Sequence, residues 1–327
     1  MSIAVPLYGF GASGGTGGTL TVTAPANVTV TVSKDGKTKT KNSGTSGVVV
    51  FKGLASGTWT VTITGDGKTA QKNVVITTDY STAISFNTIP EFTYTGDYEI
   101  VNDSDEPITV SQGNWKIRFL TSGTLTFTNL NGAEGGIDVF LVGGGGGSWY
   151  GTWGGDKNPQ FVPSAAAGGG YTTTKKNISV TVGTQYIISI GAGGLGGTQN
   201  SNGSGKNGGN TTAFGATANG GKTGTVKTKG GDGGSGGAGY GGGSGGVDGA
   251  DGSSGQHSEW AGGKGQGTTT REFAESTGKL YSTGGSVNKS TEVSANTGDG
   301  GNHGSANENG HTGASGIVVI RNARGAA

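Results

Sequence analysis

The chain has 327 residues, of which 74 are glycine and 6 are proline; 22 basic residues stand against 21 acidic ones, a net charge of +1. Glycine at roughly three times ordinary usage without matching proline excludes collagen. The charge balance offers no bulk attraction for nucleic acid or an anionic membrane, and the absence of cysteine excludes disulfides and thiolate metal sites.

Apolar side chains make up 30% and charged ones 13%, too few for an ordinary packed enzyme and too little charge for a swollen disordered chain. Residues 1–18 form a glycine-rich leader, MSIAVPLYGFGASGGTGG, without the basic start and apolar run of a secretion signal. No stretch approaches the ~18 apolar residues of a membrane span. The expectation is therefore no membrane insertion, with export left to some other assembly.

Residues 19–88 alternate apolar and polar with period two, as where Val28, Val30 and Val32 face one way and Thr29 and Thr31 the other. That is the pattern of half-buried strands. The Asp35-Gly36 pair suits a two-residue hairpin turn in which both positions need positive φ, and Asp66-Gly67 supplies a second tight turn. Further strands are expected at Val48 to Phe51, Trp59 to Ile63, Val74 to Ile76 and Ile84 to Phe86. Six or seven short strands in about 70 residues predict a small antiparallel β-sandwich. The phrase GVVVFKGLASGTWTVTI, with Phe51, Gly53, Leu54, Gly57 and Trp59 at its marker positions, resembles the prealbumin-like or Ig-like modules of cell-surface and virion proteins. The resemblance implies a fold and a spacer role rather than a chemistry.

Residues 89–327 continue as β structure. Strands are expected at FTYTG, WKIRFL (115–120), TLTFTNL (124–130), IDVFLV (137–142), YTTTKKNISVTV (171–182), QYIISI (185–190), TTAF (211–214) and GIVVIR (316–321). IDVFLV and GIVVIR match in character and are expected to be neighbours in one sheet, with the glycine-rich segments as excursions from it. TREFAEST (270–277) is the nearest approach to a helix and is too short to stand alone.

The excursions keep a period of three. From Gly230 the chain reads GGD GGS GGA GYG GGS GGV DGA DGS SGQ; glycine also recurs at 191, 194, 197, 203 and 209, and at 298, 301, 304, 310, 313 and 316. Three residues per turn is the period of the extended polyproline-II-type helix, whose backbone groups point outward and need partners. With glycine on the contact side, neighbouring helices approach closely enough to supply them. A single rod cannot persist, because one hydrogen bond contributes about 0.5–1.5 kcal/mol against the ~1–2 kcal/mol of ordering each residue. The expectation is a polyglycine-II layer seeded by the sheet, with 230–256 folded back into several rods.

The ordered blocks IDVFLVGGGGG, AAAGGGYTTT, VTVGTQYIISIGAGGLGG, TTAFGATANGGK, GGDGGSGGAGYGGG, GQGTTTREF, KLYSTGG and GASGIVVIR resemble the glycine-rich domain of tailed-bacteriophage tail proteins and prophage minor structural proteins. The match covers about 92–322. The architecture is similar in principle to the polyglycine-II tail-tip adhesins of T-even-type phages. The resemblance implies a virion component at the tail, assembled in the host cytoplasm and concerned with attachment. It carries no catalytic residue.

Other motifs lead nowhere chemical. GAGGLG (191–196) spells a dinucleotide fingerprint, but GTQNSNGSGKNGG follows where a helix must open. ATANGGKTG (216–224) misplaces the first glycine of a phosphate loop by one residue. His257, His303 and His311 read as polar surface, and GGVDGADG (245–252) lacks the order of calcium-binding repeats. Neither a catalytic triad nor a carboxylate pair stands out, so the reading is a non-enzyme with no metal and no cofactor.

The informative side chains are aromatic. Trp59 and Trp115 read as core. Trp149, Tyr150, Trp153 and Phe161 in SWYGTWGGDKNPQF, and His257 and Trp260 in GQHSEWAGG, interrupt glycine segments and should emerge at the rod ends, either as a contact surface for a host glycan or protein or as caps on the bundle. The expected partners are this host surface, other tail or baseplate proteins through the N-terminal region, and further copies of the chain.

Overall fold

The computed structural model describes residues 17–324 except 66, 112, 151–164, 200–202, 226–228, 240–241, 247–261, 264–268, 288 and 304–307. The chain divides into two units, 1–87 with 110–113 and 88–109 with 114–327. Both are all-β.

The first unit holds β1 (Gly18–Thr23), β2 (Thr29–Lys34), β3 (Lys37–Asn42), β4 (Val48–Leu54), β5 (Gly57–Gly65), β6 (Lys68–Ile76) and β7 (Tyr80–Ala83). They form a three-stranded sheet, β4-β1-β7, and a four-stranded one, β3-β2-β5-β6. Alternation works as expected: Leu20, Val22, Val30, Val32, Phe51, Trp59, Val61 and Ile63 enter one shared core. The turn from β2 to β3 has φ of 49° at Asp35 and 74° at Gly36, the left-handed pair that a two-residue hairpin requires. Two details differ from the sequence reading. The last strand is Tyr80–Ala83, pairing parallel to β1, and Ile84 is buried just beyond it. KTKTKN forms β3 although it has no apolar residue, because its backbone pairs with β2 along its whole length.

The second unit holds β8 (Glu91–Tyr94), β9 (Tyr98–Val101), β10 (Lys116–Phe119), β11 (Gly123–Asn129), β12 (Ile137–Val142), β13 (Thr172–Ile178), β14 (Gln185–Ile188), β15 (Thr211–Ala213), β16 (Ala216–Ala218) and β17 (Ile317–Asn322). A five-stranded sheet, β13-β12-β17-β10-β9, and a three-stranded one, β14-β11-β8, accompany the hairpin β15-β16. β12 and β17 are antiparallel neighbours, with Val139 opposite Ile320 and Leu141 opposite Val318, so the two distant apolar runs do meet. One face of the large sheet supplies Ile117, Phe119, Ile137, Val139, Leu141, Val318 and Ile320 to the main core. Trp115 precedes β10 and is fully buried.

The other face of that sheet is covered as well. Phe140, Val142, Ile317 and Val319 pack against Phe273 and Tyr281, which belong to a flap around 270–282. TREFAEST is this flap; only Glu272–Ala274 forms a single 3-10 turn. Burial on both sides explains why IDVFLV reads as a continuous apolar run rather than an alternation.

Candidate functional site

Beyond the sheets, the glycine segments form parallel and antiparallel rods that bond through their main chains. The 143–150 rod, which continues β12, is the clearest. Gly144, Gly147 and Tyr150 donate their N–H groups to the carbonyls of Gly209, Lys206 and Gly203 at 3.0, 2.8 and 2.8 Å. Gly143, Gly146 and Trp149 donate to Tyr171, Gly168 and Ala165, while Gly145 and Ser148 donate to Ala314 and His311. Each neighbour is revisited every third residue, so the rod makes one turn per three residues, as a polyglycine-II helix does. On the accepting side, Gly194 and Gly197 donate to Gly145 and Ser148, Gly221 to Gly144, and Gly301 to Gly146. The rod thus has six neighbours: three antiparallel ones that accept from it and three parallel ones that donate to it.

The 165–171 rod is equally surrounded. It donates to Lys222 and Asn219, to Gly301 and Gly298, and to Ala238 and Ser235; it accepts from the 143–150 rod, from Gly231 and Gly234, and from Gly285. Among its described residues, the 230–256 tract does fold back: 230–234, 235–238 and 243–246 run alongside one another, with Gly237 donating to Gly231 and Gly243 to Gly237, both at 2.8 Å.

Six neighbours leave no face free, which explains the run GGGGG at 143–147. A Cβ on Gly143 or Gly146 would strike the carbonyls of Asn219 and Lys222, on Gly144 or Gly147 those of Ala192 and Leu195, and on Gly145 that of Asp299. The outer 191–197 rod is different. Gly191, Gly194 and Gly197 face the 203–209 rod, Gly193 and Gly196 face the 310–313 segment, and Ala192 and Leu195 point outward, Leu195 with 66% of its surface exposed. Elsewhere the third residue of the triplet is Asn or Asp, and its side chain accepts from a neighbouring rod's N–H. Asn207 and Asn210 take Thr223 and Gly220 at 3.0 Å each, and Asp299 and Asn302 take Thr283 and Ser286 at 2.7 and 2.9 Å. Burial raises the Asp299 carboxyl above its ordinary pKa, against the lowering effect of the Thr283 and Thr297 hydrogen bonds.

The rods are extensions of strands. β12 runs into 143, 171 into β13, β14 into 191, 209 into β15, β16 into 219 and 316 into β17. This end is fixed to the β core. At the opposite end lie the residues that bracket the chain reversals: 150 and 165, 197 and 203, 225 and 229, 238 and 243, 303 and 310. Trp149 and Tyr150 lie there, at the end of the central rod. Tyr150 is 9% exposed, and the half-buried Trp149 indole lies over Gly203, filling the space a Cβ would need. Trp153, Phe161, His257 and Trp260 fall outside the described residues. His311 also lies near this end, its Nδ1 2.9 Å from Glu292.

A second cluster was not anticipated. On the flap-covered face of the large sheet, Lys116, Arg321 and Asp138 sit in one cross-strand row. Arg321 meets Asp138 at 3.1 Å and Glu275 at 2.5 Å, and its guanidinium stacks 4.1 Å from the Phe273 ring. Lys116 pairs with Glu272 at 2.7 Å and Asp105 at 2.5 Å, Arg118 with Asp105 at 2.5 Å, Glu272 at 3.2 Å and Glu99 at 3.3 Å. Of these residues, Asp105, Lys116, Glu272, Phe273, Glu275 and Arg321 border a cleft of about 380 Å³. The hydrogen bond and charge of Arg321 hold Glu275 below its usual range. Asp105 is lowered too: desolvation pushes it up, but the hydrogen bonds from Arg118 and Lys116 outweigh that. Desolvation, then the Glu272 charge, keep Tyr281 a neutral phenol. Each of these carboxylates pairs with a cation, so the cluster clamps the flap to the sheet. Its signal in the sequence was the charge inside otherwise apolar strands, at Asp138 of IDVFLV, Lys116 and Arg118 of WKIRFL, and Arg321 of GIVVIR.

GAGGLG forms the outer rod and opens no helix, and Gly221-Lys222-Thr223 belongs to another rod. Among the described residues no group of three or more His, Asp or Glu side chains is placed to hold a metal.

No curated protein matches the chain. A crystal structure of a DUF3823 family protein from Bacteroides ovatus ATCC 8483 is similar over 53% of this chain and 87% of its own, at 11% identity and a TM-score of 0.21, a value that carries no argument about fold. The family model of the glycine-rich domain matches residues 120–323, which take in β12, β13 and β17 of the large sheet and all the rods. The chain belongs to the glycine-rich domain family.

Proposed function

We propose that the chain is a non-enzymatic bacteriophage tail component that attaches the virion to the host surface. In this reading the N-terminal unit joins other tail or baseplate proteins, and the far end of the glycine layer meets a surface glycan or protein. The observation that carries it is the six-neighbour packing of the 143–150 and 165–171 rods. A main-chain lattice of that kind is a stiff platform with one end fixed to a β core and the chain reversals gathered at the other. Adaptable loops on a rigid scaffold are where binding residues concentrate. Trp149 and Tyr150 stand at the stem of one such loop, and in this reading Trp153, Phe161, His257 and Trp260 complete the contact surface.

One observation favours a second reading, a purely structural virion component whose loops contact sister proteins: Tyr150 is buried and Trp149 packs on Gly203, as caps on the bundle would be. Combined replacement of Trp149, Trp153 and Trp260 by alanine separates the two. Loss of adsorption to host cells, with amide exchange of the rods unchanged, supports attachment; unchanged adsorption leaves the structural reading.

A further inference from the structure

The whole-chain charge of +1 conceals an asymmetry. The first unit holds seven lysines against three aspartates and no arginine or glutamate, a net charge of +4. Among the described residues, every ion pair lies in the second unit, so no lysine of the first unit has a carboxylate within 4 Å. Five of them, Lys34, Lys37, Lys39, Lys41 and Lys52, sit on β2, β3 and β4 along the open side of the sandwich.

The geometry there is specific. β3 and β4 are both edge strands of their sheets. Lys41 and Lys39 stand opposite the buried Val30 and Val32, and Lys37 opposite Lys34, so the three β3 lysines share the core-facing side of their sheet. The ammonium groups of Lys39 and Lys41 donate to the carbonyls of Lys52 and Val50 on the unpaired edge of β4, at 2.6 and 2.7 Å, and Lys34 donates to the Ser56 carbonyl. The Lys41 ammonium also lies 5.6 Å over the Phe51 ring. Between the two strands is a groove of about 540 Å³ lined by Lys39, Thr40, Lys41, Val50, Phe51 and Lys52.

Inward-facing lysines on an edge strand block strand-to-strand aggregation, and that alone would explain Lys39 and Lys41. It does not explain Lys37 and Lys52, which make no brace among the described residues, nor the lack of an acidic partner there for any of the five. Each bracing ammonium also keeps N–H groups to offer, since an ammonium has three. The result is a pre-positioned row of cations spaced about 7 Å apart along β3, two residues of strand per step.

We propose that this groove binds a linear polyanion carrying a phosphate or carboxylate on each repeat, as an anionic glycan or polyol-phosphate chain does. Charge complementarity selects the occupant. Single-stranded nucleic acid is disfavoured because its bases need aromatic faces to stack on, and the one aromatic ring in the groove, Phe51, is 1% exposed and already covered by Lys41. The site is independent of the glycine-layer loops and holds whether or not those loops recognise a host.

Binding of the full chain to polyglycerol phosphate, polygalacturonate, single-stranded DNA and neutral dextran, measured by calorimetry at low and at about 0.3 M salt, tests the proposal. Wild type should bind the phosphate polymer, the carboxylate polymer or both, which identifies the source of the charge, and should lose that binding as salt screens it. Lys37→Gln/Lys52→Gln leaves the braces of Lys39 and Lys41 intact and should weaken binding by about fivefold per lysine. Lys37→Arg/Lys52→Arg should restore it. Equal affinity of wild type and the double glutamine variant, preference for DNA, or no binding to either polyanion at low salt would overturn it. The tryptophan variants of the glycine-layer loops should bind the polyanion like wild type, so failure of the attachment reading and failure of this one are distinguishable.

Discussion

Gly145→Ala is the sharpest perturbation of the glycine layer. The added Cβ would lie 2.8 Å from the Gly298 carbonyl oxygen and closer still to that of Asp299. Both are backbone atoms, so neither can rotate away. Relief requires moving the 298–303 rod outward by about 1 Å, and such overpacking costs about 1–3 kcal/mol. The same shift lengthens the bonds from Gly301 to Gly146 and from Ala314 to Asp299, both 2.8 Å, each contributing about 0.5–1.5 kcal/mol. Alanine returns about 0.4–1 kcal/mol by restricting the unfolded chain. The net expectation is a loss of about 2–4 kcal/mol, or roughly 5–12 °C in melting temperature for a unit of this size. Leu195→Ala is the control in the same lattice: its side chain is 66% exposed on the outer rod, and the change should stay within about 0.5 kcal/mol. Thermal unfolding, with amide exchange followed over 143–150 and 298–303, reads both variants. Indistinguishable melting and exchange for the two would refute close-packed rods.

Two further outcomes follow from the charged groups. Glu272→Ala leaves Lys116 and Arg118 buried, at 7% and 5% side-chain exposure, with one carboxylate fewer between them; it should cost about 3 kcal/mol and open the flap to tryptic cleavage at Arg271 and Lys279 under conditions where wild type resists. Asp299→Asn keeps the acceptor for the Thr283 N–H and removes a charge that burial disfavours. Because the folded Asp299 pKa is raised, its contribution is intact below the unfolded pKa and lost as pH rises through the folded one; the variant should therefore be the more stable protein at pH 7 and match wild type near pH 3, as denaturant unfolding at the two pH values would show.

Much of this was legible in the sequence, for local reasons. Val30 and Val32 alternate because β2 has one buried face, Asp35-Gly36 marks a turn that needs left-handed backbone, and the triplet register reports a helix of three residues per turn. What escaped depends on contacts that no local pattern records. β3 is held by backbone pairing and shows only KTKTKN. The flap is fixed by Glu272 reaching Lys116 and Arg118 across more than 150 residues of chain, and Ala216–Ala218 is too short to show any period. Only the isolated charges in IDVFLV, WKIRFL and GIVVIR hinted that a second face needed partners.

The glycine tracts also hold more information than their period. A helix of three residues per turn has three rows of side chains, and a row packed closely against another rod is glycine or, as at Ala165, Ala166 and Ala167 of the 165–171 rod, alanine. All three rows are glycine in 143–147, where six neighbours close in. In 191–197 two rows are glycine and the third, Ala192 and Leu195, faces out. In 298–303 the third row is Asp299 and Asn302, whose side chains reach main-chain N–H groups of the neighbouring segment at Thr283 and Ser286; Asn207 and Asn210 do the same for Thr223 and Gly220. A glycine row thus marks a packed face, and the type of a larger residue in the remaining row says what that face meets. A leucine, as at Leu195, marks a bare edge, where a second rod could not approach without displacing it. An amide or carboxylate at the same place marks a neighbour's unpaired N–H within side-chain reach, so Asn207→Leu should break the lattice where Leu195→Asn would not.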